Sequence, residues 1–287
     1  MLKTLAFIQR NDTYFSIGDF YPVLSVFSHH ELGTTTSPFL LLDHLGPSIL
    51  AAKSKKKGVN KHPHRGFETV TLMFSGELQH QDSTGGGGVI SAGDVQWMTA
   101  GAGVMHKEEF SSEFREKGGY FEMVQLWVNL PAKSKLVSPR YQSIRASQIP
   151  VVEDLEQQMS IRVIAGEYQG KTGPAHTYSP IQMLDVTVKQ GQSIQLPAQH
   201  EHTSLVYLRK GEIQIGDEVL LEQGMAVMSS QGTDIELKVL KDSQILLLNG
   251  QPLLEPLIAH GPFVMNSHEE ILESYEVFKA GEFLKPE

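Results

Sequence analysis

Short apolar and β-branched runs, separated by turn residues, recur along most of the chain. Runs of four to eight such residues, bounded by glycine, proline, asparagine or aspartate, predict β-strands. In the first half the pattern predicts strands at residues 39–43, 67–74, 78–82, 89–91, 94–98 and 120–129. In the second half it predicts strands at residues 183–188, 193–196, 204–209, 212–215, 218–221, 225–229, 236–240 and 244–248. The pattern therefore predicts an all-β protein.

A single helix is predicted, near the C-terminus. Ser267 is a candidate N-cap, and Glu269 and Glu270 fall in the first turn, where the helix dipole favours acidic side chains. The helix should run through Lys279, with Gly281 just past its end.

The two halves of the chain resemble each other. Residues 68–79, Glu-Thr-Val-Thr-Leu-Met-Phe-Ser-Gly-Glu-Leu-Gln, align with residues 203–214, Thr-Ser-Leu-Val-Tyr-Leu-Arg-Lys-Gly-Glu-Ile-Gln. A chain of 287 residues is long enough for two domains, so this degenerate repeat predicts two tandem β-barrels.

The predicted boundaries follow the composition. The N-terminal barrel is expected to span residues 1–135, although residues 1–20 could belong to either barrel. Residues 136–150 are rich in proline, serine and basic residues, as a linker would be. Residues 151–287 are then the C-terminal barrel with its helix.

Composition narrows the possible functions. The absence of cysteine excludes disulfides, thiolate ligands and a cysteine nucleophile, so a metal would be held by nitrogen and oxygen. A net charge of −9 argues against nucleic-acid binding. No apolar run is long enough to span a membrane, and the N-terminus lacks a signal-peptide core, which together predict a cytoplasmic protein. The basic cluster Lys53, Lys55, Lys56 and Lys57 is either a solvated loop or a patch that steers an anionic substrate.

Candidate metal ligands occur in two short stretches. Residues two apart on a strand share a face and lie ~7 Å apart, so His62 and His64 can reach one ion. His106 and Glu108 repeat this spacing. Chance alone gives roughly 0.5 His-x-His pairs in a chain with 12 histidines, so one pair is weak evidence for a metal site. The residues around the pair, including His106, are the stronger evidence. Glu68, four residues after His64, is a second candidate carboxylate, and spacing alone does not choose between Glu68 and Glu108.

A second His-x-His pair, His200 and His202, is not predicted to bind metal. The repeat aligns the candidate ligands of the first half with Pro197, Gln199 and Thr203, and the second half has no counterpart of His106. We therefore expect one metal per chain, with His200 and His202 at the surface or between domains.

Several motifs resemble one known family. The stretches 62–70, 93–101, 106–108, 125–130 and 260–266 are similar to those of pirin, a two-domain member of the cupin superfamily. The resemblance implies two cupin barrels of the jelly-roll type and one iron, Fe(II), in the N-terminal barrel. Some members of the family have flavonol 2,3-dioxygenase activity, with quercetin and O₂ as substrates, so the resemblance also implies this activity as one hypothesis for the chain.

Carried over residue by residue, the family's four ligands fall on His62, His64, His106 and Glu108. Glu68 then becomes a hydrogen-bond partner that fixes an imidazole or balances charge. Imidazole and carboxylate ligands also suit Mn, Ni, Cu or Zn, and an octahedral ion would keep two positions open for substrate and O₂. Glu108 or Glu68 is the candidate base for a substrate hydroxyl. Apolar residues that could line a substrate pocket, or simply fill the barrel, are Met73, Phe74, Trp97, Met98, Met105, Phe110 and Met123.

A competing hypothesis is a non-enzymatic iron protein whose oxidation state regulates a partner protein, because some pirins are described as transcription co-regulators. A pocket open beside the metal would favour the enzyme, whereas a closed site would favour the sensor. A metal-dependent sugar isomerase would need hydroxyl-binding residues around the ion that the sequence does not reveal.

Overall fold

The computed structural model describes residues 1–284, and strands dominate it. The strands of the first half are β1 (Leu5–Gln9), β2 (Tyr14–Ile17), β3 (Phe20–Ser28), β4 (Phe39–Leu50), β5 (Gly58–His64), β6 (Phe67–Ser75), β7 (Glu77–Asp82), β8 (Gly87–Ser91), β9 (Val95–Thr99), β10 (Val104–Phe110), β11 (Gly119–Asn129) and β12 (Arg140–Ile144). Those of the second half are β13 (Val151–Asp154), β14 (Met159–Ala165), β15 (Glu167–Tyr168), β16 (Lys171–Thr172), β17 (Ile181–Val188), β18 (Ser193–Pro197), β19 (Thr203–Ile215), β20 (Glu218–Leu221), β21 (Gly224–Met228), β22 (Asp234–Gly250), β23 (Ile258–His260) and β24 (Phe263–Met265). The α-helices are α1 (His29–Leu32), α2 (Ser112–Lys117) and α3 (His268–Lys279), and short 3₁₀ turns occupy Ala132–Ser134, Ala146–Gln148 and Glu282–Leu284. The predicted all-β class is confirmed.

Two compact units divide the chain, each built around one barrel. Barrel A comprises Asp12–Ser28, Phe39–Ala146 and the segment from Leu254 to the last described residue. Barrel B comprises Met1–Asn11, His29–Pro38 and Ser147–Leu253.

These units differ from the predicted boundaries in three places. β1 pairs with β21, so the first strand of the chain belongs to barrel B. β12, inside the predicted linker, pairs with β9 and extends a sheet of barrel A. The segment from Leu254 onward, predicted in the C-terminal barrel, joins barrel A. Pairings between residues so far apart in sequence are invisible to local patterning, which explains the difference.

Barrel A has two main sheets around an aromatic core, and the hairpin β23-β24 forms a small third sheet. The larger sheet has the strand order β12-β9-β6-β11-β4-β3-β2, and the smaller has the order β5-β10-β7-β8. Phe20 stacks on Phe121, with ring centroids 5.6 Å apart, and meets Phe110 edge-on at 4.8 Å. Buried Leu45 and Met123 belong to the same cluster. Side chains such as these fill the interior of small barrels.

Barrel B contains one nine-stranded sheet and an aliphatic interior. Its main path is β1-β21-β19-β22-β17-β14-β13. The interior is a continuous cluster of buried residues such as Ile161, Val163, Leu184, Val206 and Leu247. β19 and β22 were each predicted as two strands, but each is one long strand, and β19 passes register shifts along its pairing with β22.

The C-terminal segment of barrel A closes over the turn after His64. The amide of Arg65 donates to the Pro262 carbonyl at 3.2 Å, and the amide of Val264 donates to the Arg65 carbonyl at 3.0 Å. Buried Lys135 donates through Nζ to the carbonyls of Gly66 and Val264, each at 2.8 Å.

The predicted helix is confirmed as α3. Ser267 accepts a hydrogen bond from the Glu270 amide, and the Glu270 side chain accepts from the Ser267 amide, which completes a capping box. Within residues 1–284, no helix combines the length and the apolar character needed to cross a membrane.

Candidate metal centre

Two paired strands bring the predicted ligands together. β5 and β10 are antiparallel neighbours in the smaller sheet of barrel A, and His106 lies directly opposite His62. Val104 lies opposite His64, and a register shift separates His106 from Glu108. Along β10 the burial alternates, so His106 and Glu108 point into the barrel together.

The three imidazoles form a tight cluster. Ring centroids of His62 and His106 are 4.3 Å apart, and the centroid of His64 is 4.8 Å from each of the other two. One nitrogen from each ring lies within 4.8 Å of the corresponding nitrogens. Such spacing allows all three lone pairs to reach one ion at the ~2.0–2.1 Å typical of metal–imidazole bonds.

Hydrogen bonds at the far side of these rings leave nitrogens free for a metal. The Nδ1–H of His62 donates to the Asn60 carbonyl at 2.8 Å, which leaves Nε2 as the lone-pair nitrogen. His64 hydrogen-bonds to the Pro262 carbonyl, while its buried Nδ1 has no protein partner. Nε2 of His106 is also buried without a partner. Buried polar atoms without partners are rare, and here they mark the position that a metal would fill.

Burial keeps two of these rings neutral. Desolvation, helped by the neighbouring His62, holds the pKa of His64 well below its ordinary value. Desolvation and the adjacent His64 and His62 do the same to the pKa of His106. A neutral imidazole has a lone pair to donate, so both rings are ready to bind a cation without first losing a proton.

Glu108 supplies the carboxylate on the same wall. Its side chain is buried and lines a cavity of about 220 Å³ together with the three histidines. The Thr71 hydroxyl donates to its Oε1 at 3.4 Å. The structure thus brings His62, His64, His106 and Glu108 to one site.

Glu68, the second candidate carboxylate, does not line this cavity. The chain turns at Gly66, which lies between the end of β5 and the start of β6 and has a φ of +86°. The turn interrupts the strand alternation on which the even spacing from His64 relied. The Thr99 hydroxyl donates to Glu68 Oε1 at 2.6 Å, and the indole of Trp97 lies beside the carboxyl. Glu68 is thus hydrogen-bonded to Thr99 and is absent from the residues that line the cavity.

Sequence reasoning missed His80 and Asp82, which adjoin the cluster, and one donor atom from each of His80, His106 and Glu108 also lies within 4.8 Å of the other two. His80 on β7 pairs with Glu108 on β10. Its Nδ1 is 3.5 Å from Nδ1 of His106, and its Nε2 is 3.5 Å from Oδ2 of Asp82. The signal was present in the predicted strand 78–82, because Leu78, His80 and Asp82 share its inward face, where two polar residues are unusual.

Asp82 is itself held firmly. Its Oδ1 accepts from the Thr84 hydroxyl at 2.7 Å and from the amides of Thr84 and Gly86, each at 2.9 Å. Burial alone would raise the pKa of Asp82, but hydrogen bonds from His80 and Thr84 hold it below its ordinary value. The fixed carboxylate of Asp82 therefore contacts His80, and His80 in turn contacts His106.

The cavity beside the histidines is mostly apolar. Phe20, Leu45, Met123 and Trp127 contribute to its walls. Of the seven apolar residues proposed as pocket lining, Met123 is the one that lines it. Met73 and Phe110 instead belong to the aromatic core of barrel A.

The remaining candidates lie at the surface. Lys53, Lys55, Lys56 and Lys57 are exposed in the segment before β5. His200 is exposed and His202 half-buried, both in the turn before β19 of barrel B.

Two cupin barrels, one of them with a cluster of three histidines and a glutamate, define the chain as a bicupin with a candidate divalent-metal site. Family models agree: residues 21–128 match the pirin model, and residues 183–284 match the pirin C-terminal cupin domain. The chain belongs to the pirin family.

Individual relatives cover nearly the whole chain. A crystal structure titled quercetin 2,3-dioxygenase from Acinetobacter baumannii is 45% identical, covers 99% of both chains and superposes with a TM-score of 0.95. A Pseudomonas aeruginosa protein, provisionally named a quercetin 2,3-dioxygenase, is 45% identical over 99% of both chains. Pirin of Rattus norvegicus is 36% identical over 84% of this chain and 81% of its own.

Proposed function

We propose that this protein is a metal-dependent dioxygenase that cleaves a flavonol such as quercetin, with one Fe(II) held by His62, His64, His106 and Glu108. The observation that carries the proposal is the pair of buried, partnerless imidazole nitrogens on His64 and His106 at the wall of an apolar cavity. Relatives at 45% identity that carry the name quercetin 2,3-dioxygenase support it.

A divalent ion at this site would supply Lewis acidity toward a substrate hydroxyl and, if it is iron, redox chemistry with O₂. The chain's own residues would do the rest. Glu108 lines the cavity together with the three imidazoles and would take the hydroxyl proton. Trp127 and Met123 would pack against the aromatic ring and exclude water.

The cavity size favours one ring of the substrate inside the barrel. At about 220 Å³ it is smaller than the ~300–1,000 Å³ of pockets that enclose a drug-sized ligand. His62 lines the cavity and is only half-buried, so this part of the lining is accessible to solvent. A flavonol would place its oxygenated ring at the histidines and keep the remainder near the mouth.

The test is anaerobic reconstitution with Fe(II), followed by admission of air in the presence of quercetin. We expect loss of the quercetin absorbance band and release of carbon monoxide, both dependent on metal and on O₂. His64→Ala provides the control, because it removes one ligand and should stop turnover.

A different outcome would favour the regulatory hypothesis. If the iron-loaded protein consumed no quercetin yet bound a partner protein in an oxidation-state-dependent manner, the dioxygenase proposal would be wrong. The same preparation serves both assays, so the two results can be compared directly.

A further inference from the structure

Asp43 is a buried carboxyl group in the wall of the metal cavity that the reaction outlined above does not use. It lies on β4, between Ser25 of β3 and Gln125 of β11 in the sheet register. Its side chain is only 5% exposed and lines the same 220 Å³ cavity as the histidines and Glu108.

One oxygen of this carboxyl group has no protein partner. Ser25 provides a side-chain hydrogen bond to the carboxyl, but Oδ1 is buried without any. The Oε1 of Gln125, the polar neighbour on the next strand, accepts from the Thr71 hydroxyl at 3.0 Å and, as an acceptor, cannot satisfy Asp43 Oδ1. Asp43 is therefore a polar group with unused hydrogen-bonding capacity on this wall.

The surroundings of Asp43 are apolar, so a carboxyl oxygen without a hydrogen-bond partner is energetically unfavourable there. Phe20, Leu45, Met123 and Trp127 line the cavity around Asp43. Desolvation raises the pKa of Asp43 to about 7, against the side-chain hydrogen bond from Ser25 that lowers it. Purely structural packing would be served better by an apolar residue, because a buried polar atom without a partner destabilises the fold.

We propose that Asp43 binds a hydroxyl group of the substrate, and that the substrate is consequently a polyphenol with at least two hydroxyls. One hydroxyl faces the histidines and Glu108, and another, elsewhere on the ring system, hydrogen-bonds to Asp43. Asp43 then determines specificity, since it distinguishes hydroxylated aromatic compounds from unsubstituted ones. This inference rests on the proposed function and narrows its substrate class.

Matched ligands test the inference without turnover. Zn(II)-loaded protein, which cannot reduce O₂, is titrated with quercetin and with 3-hydroxyflavone, and each Kd is measured by calorimetry. Both compounds offer the same 3-hydroxyl and 4-keto oxygens to the metal, whereas quercetin alone has additional hydroxyls. Asp43→Leu should weaken quercetin binding about 10-fold, the loss expected when one buried hydrogen bond is removed. Binding of 3-hydroxyflavone should change less than about twofold.

Two further variants exclude a purely structural effect. Leu45→Ala alters the same wall without touching a polar group, so it should weaken both ligands to a similar degree. Asp43→Asn is the more conservative change, and it should weaken quercetin selectively but less than Asp43→Leu. Zn(II) stoichiometry is measured for every variant to verify that the site is intact.

The outcomes separate the two proposals. If the wild-type protein binds both flavonols but Asp43→Leu weakens neither, or weakens both equally, Asp43 does not recognise a hydroxyl and only this inference falls. If the metal-loaded wild-type protein binds neither flavonol, the proposed function falls as well.

Discussion

Replacing His80 with leucine should weaken metal binding although His80 is not one of the proposed ligands. Its Nδ1 lies 3.5 Å from Nδ1 of His106, and the Asp82 carboxylate lies 3.5 Å from its Nε2. If His106 donates its Nδ1–H to His80, Nε2 of His106 is fixed as the lone-pair nitrogen that faces His62 and His64. Loss of His80 would leave the Nδ1–H unsatisfied and the ring free to tilt.

The expected size of the effect follows from this geometry. Removing a residue that orients a ligand typically costs 10–100-fold in metal affinity, or ~1.4–2.7 kcal/mol. Calorimetric titration of the metal-free protein with Zn(II) measures it directly. His80→Asn retains a polar atom near the Nδ1 position, so it should recover part of the affinity that His80→Leu loses.

Tyr141 offers a matched control for packing. Its ring stacks on His80 with centroids 5.0 Å apart, and its hydroxyl has no protein partner. Tyr141→Phe preserves the stack and should leave metal affinity within about twofold. Wild-type affinity in His80→Leu, or equal losses in His80→Leu and His80→Asn, would refute the orienting role of the imidazole.

Three further predictions concern metal content and stability. Metal analysis should find about one equivalent per chain, lost in His106→Ala and retained in a His200→Ala/His202→Ala double variant; the reverse would place the site in barrel B. Burial raises the pKa of Glu68 from 4.5 to about 7, so the stability this group contributes is complete below pH 4.5 and lost as pH rises through about 7. In the wild-type protein the free energy of unfolding should therefore decline by on the order of 3 kcal/mol over this pH range because of Glu68, and Glu68→Gln should abolish that decline. Urea titrations of metal-free protein measure it, and an unchanged pH profile in the variant would contradict the prediction. Lys135→Met strands the carbonyls that Nζ binds, so it should lower the free energy of unfolding by at least about 2 kcal/mol, and an undiminished melting temperature would show that these bonds contribute little.

Local patterning predicted most strands and the close approach of His62, His64 and His106, because strand alternation and turn residues are written in short stretches. It failed where the alternation was interrupted or the partner was distant. Glu68, whose spacing from His64 looked suitable, follows the turn at Gly66 and does not line the cavity. His80 reaches His106 only because β7 pairs with β10, and no spacing rule identifies which strands become neighbours.

The first strand of the chain belongs to barrel B and the segment after Leu254 belongs to barrel A. Local sequence patterns could not predict this exchange of segments between the barrels. β1 was open to either assignment, and its pairing with β21 is a contact across more than two hundred residues. The segment after Leu254 resembled a continuation of barrel B because it follows β22 directly. Backbone hydrogen bonds between this segment and Arg65 tie it to barrel A instead. The amino-acid composition of a segment does not predict such hydrogen bonds.

From that exchange we expect barrel B to complete its fold on the ribosome before barrel A, whereas the domain made first generally folds first. His64 relies on the Pro262 carbonyl, and Gly66 is clamped through Lys135 to Val264, so the site encoded near the start is finished by residues translated near the end. Barrel B, by contrast, already has all its strands once β22 has emerged. A nascent chain would therefore acquire its metal late, and a chain interrupted before residue 260 would contain every proposed ligand yet lack the backbone that supports them.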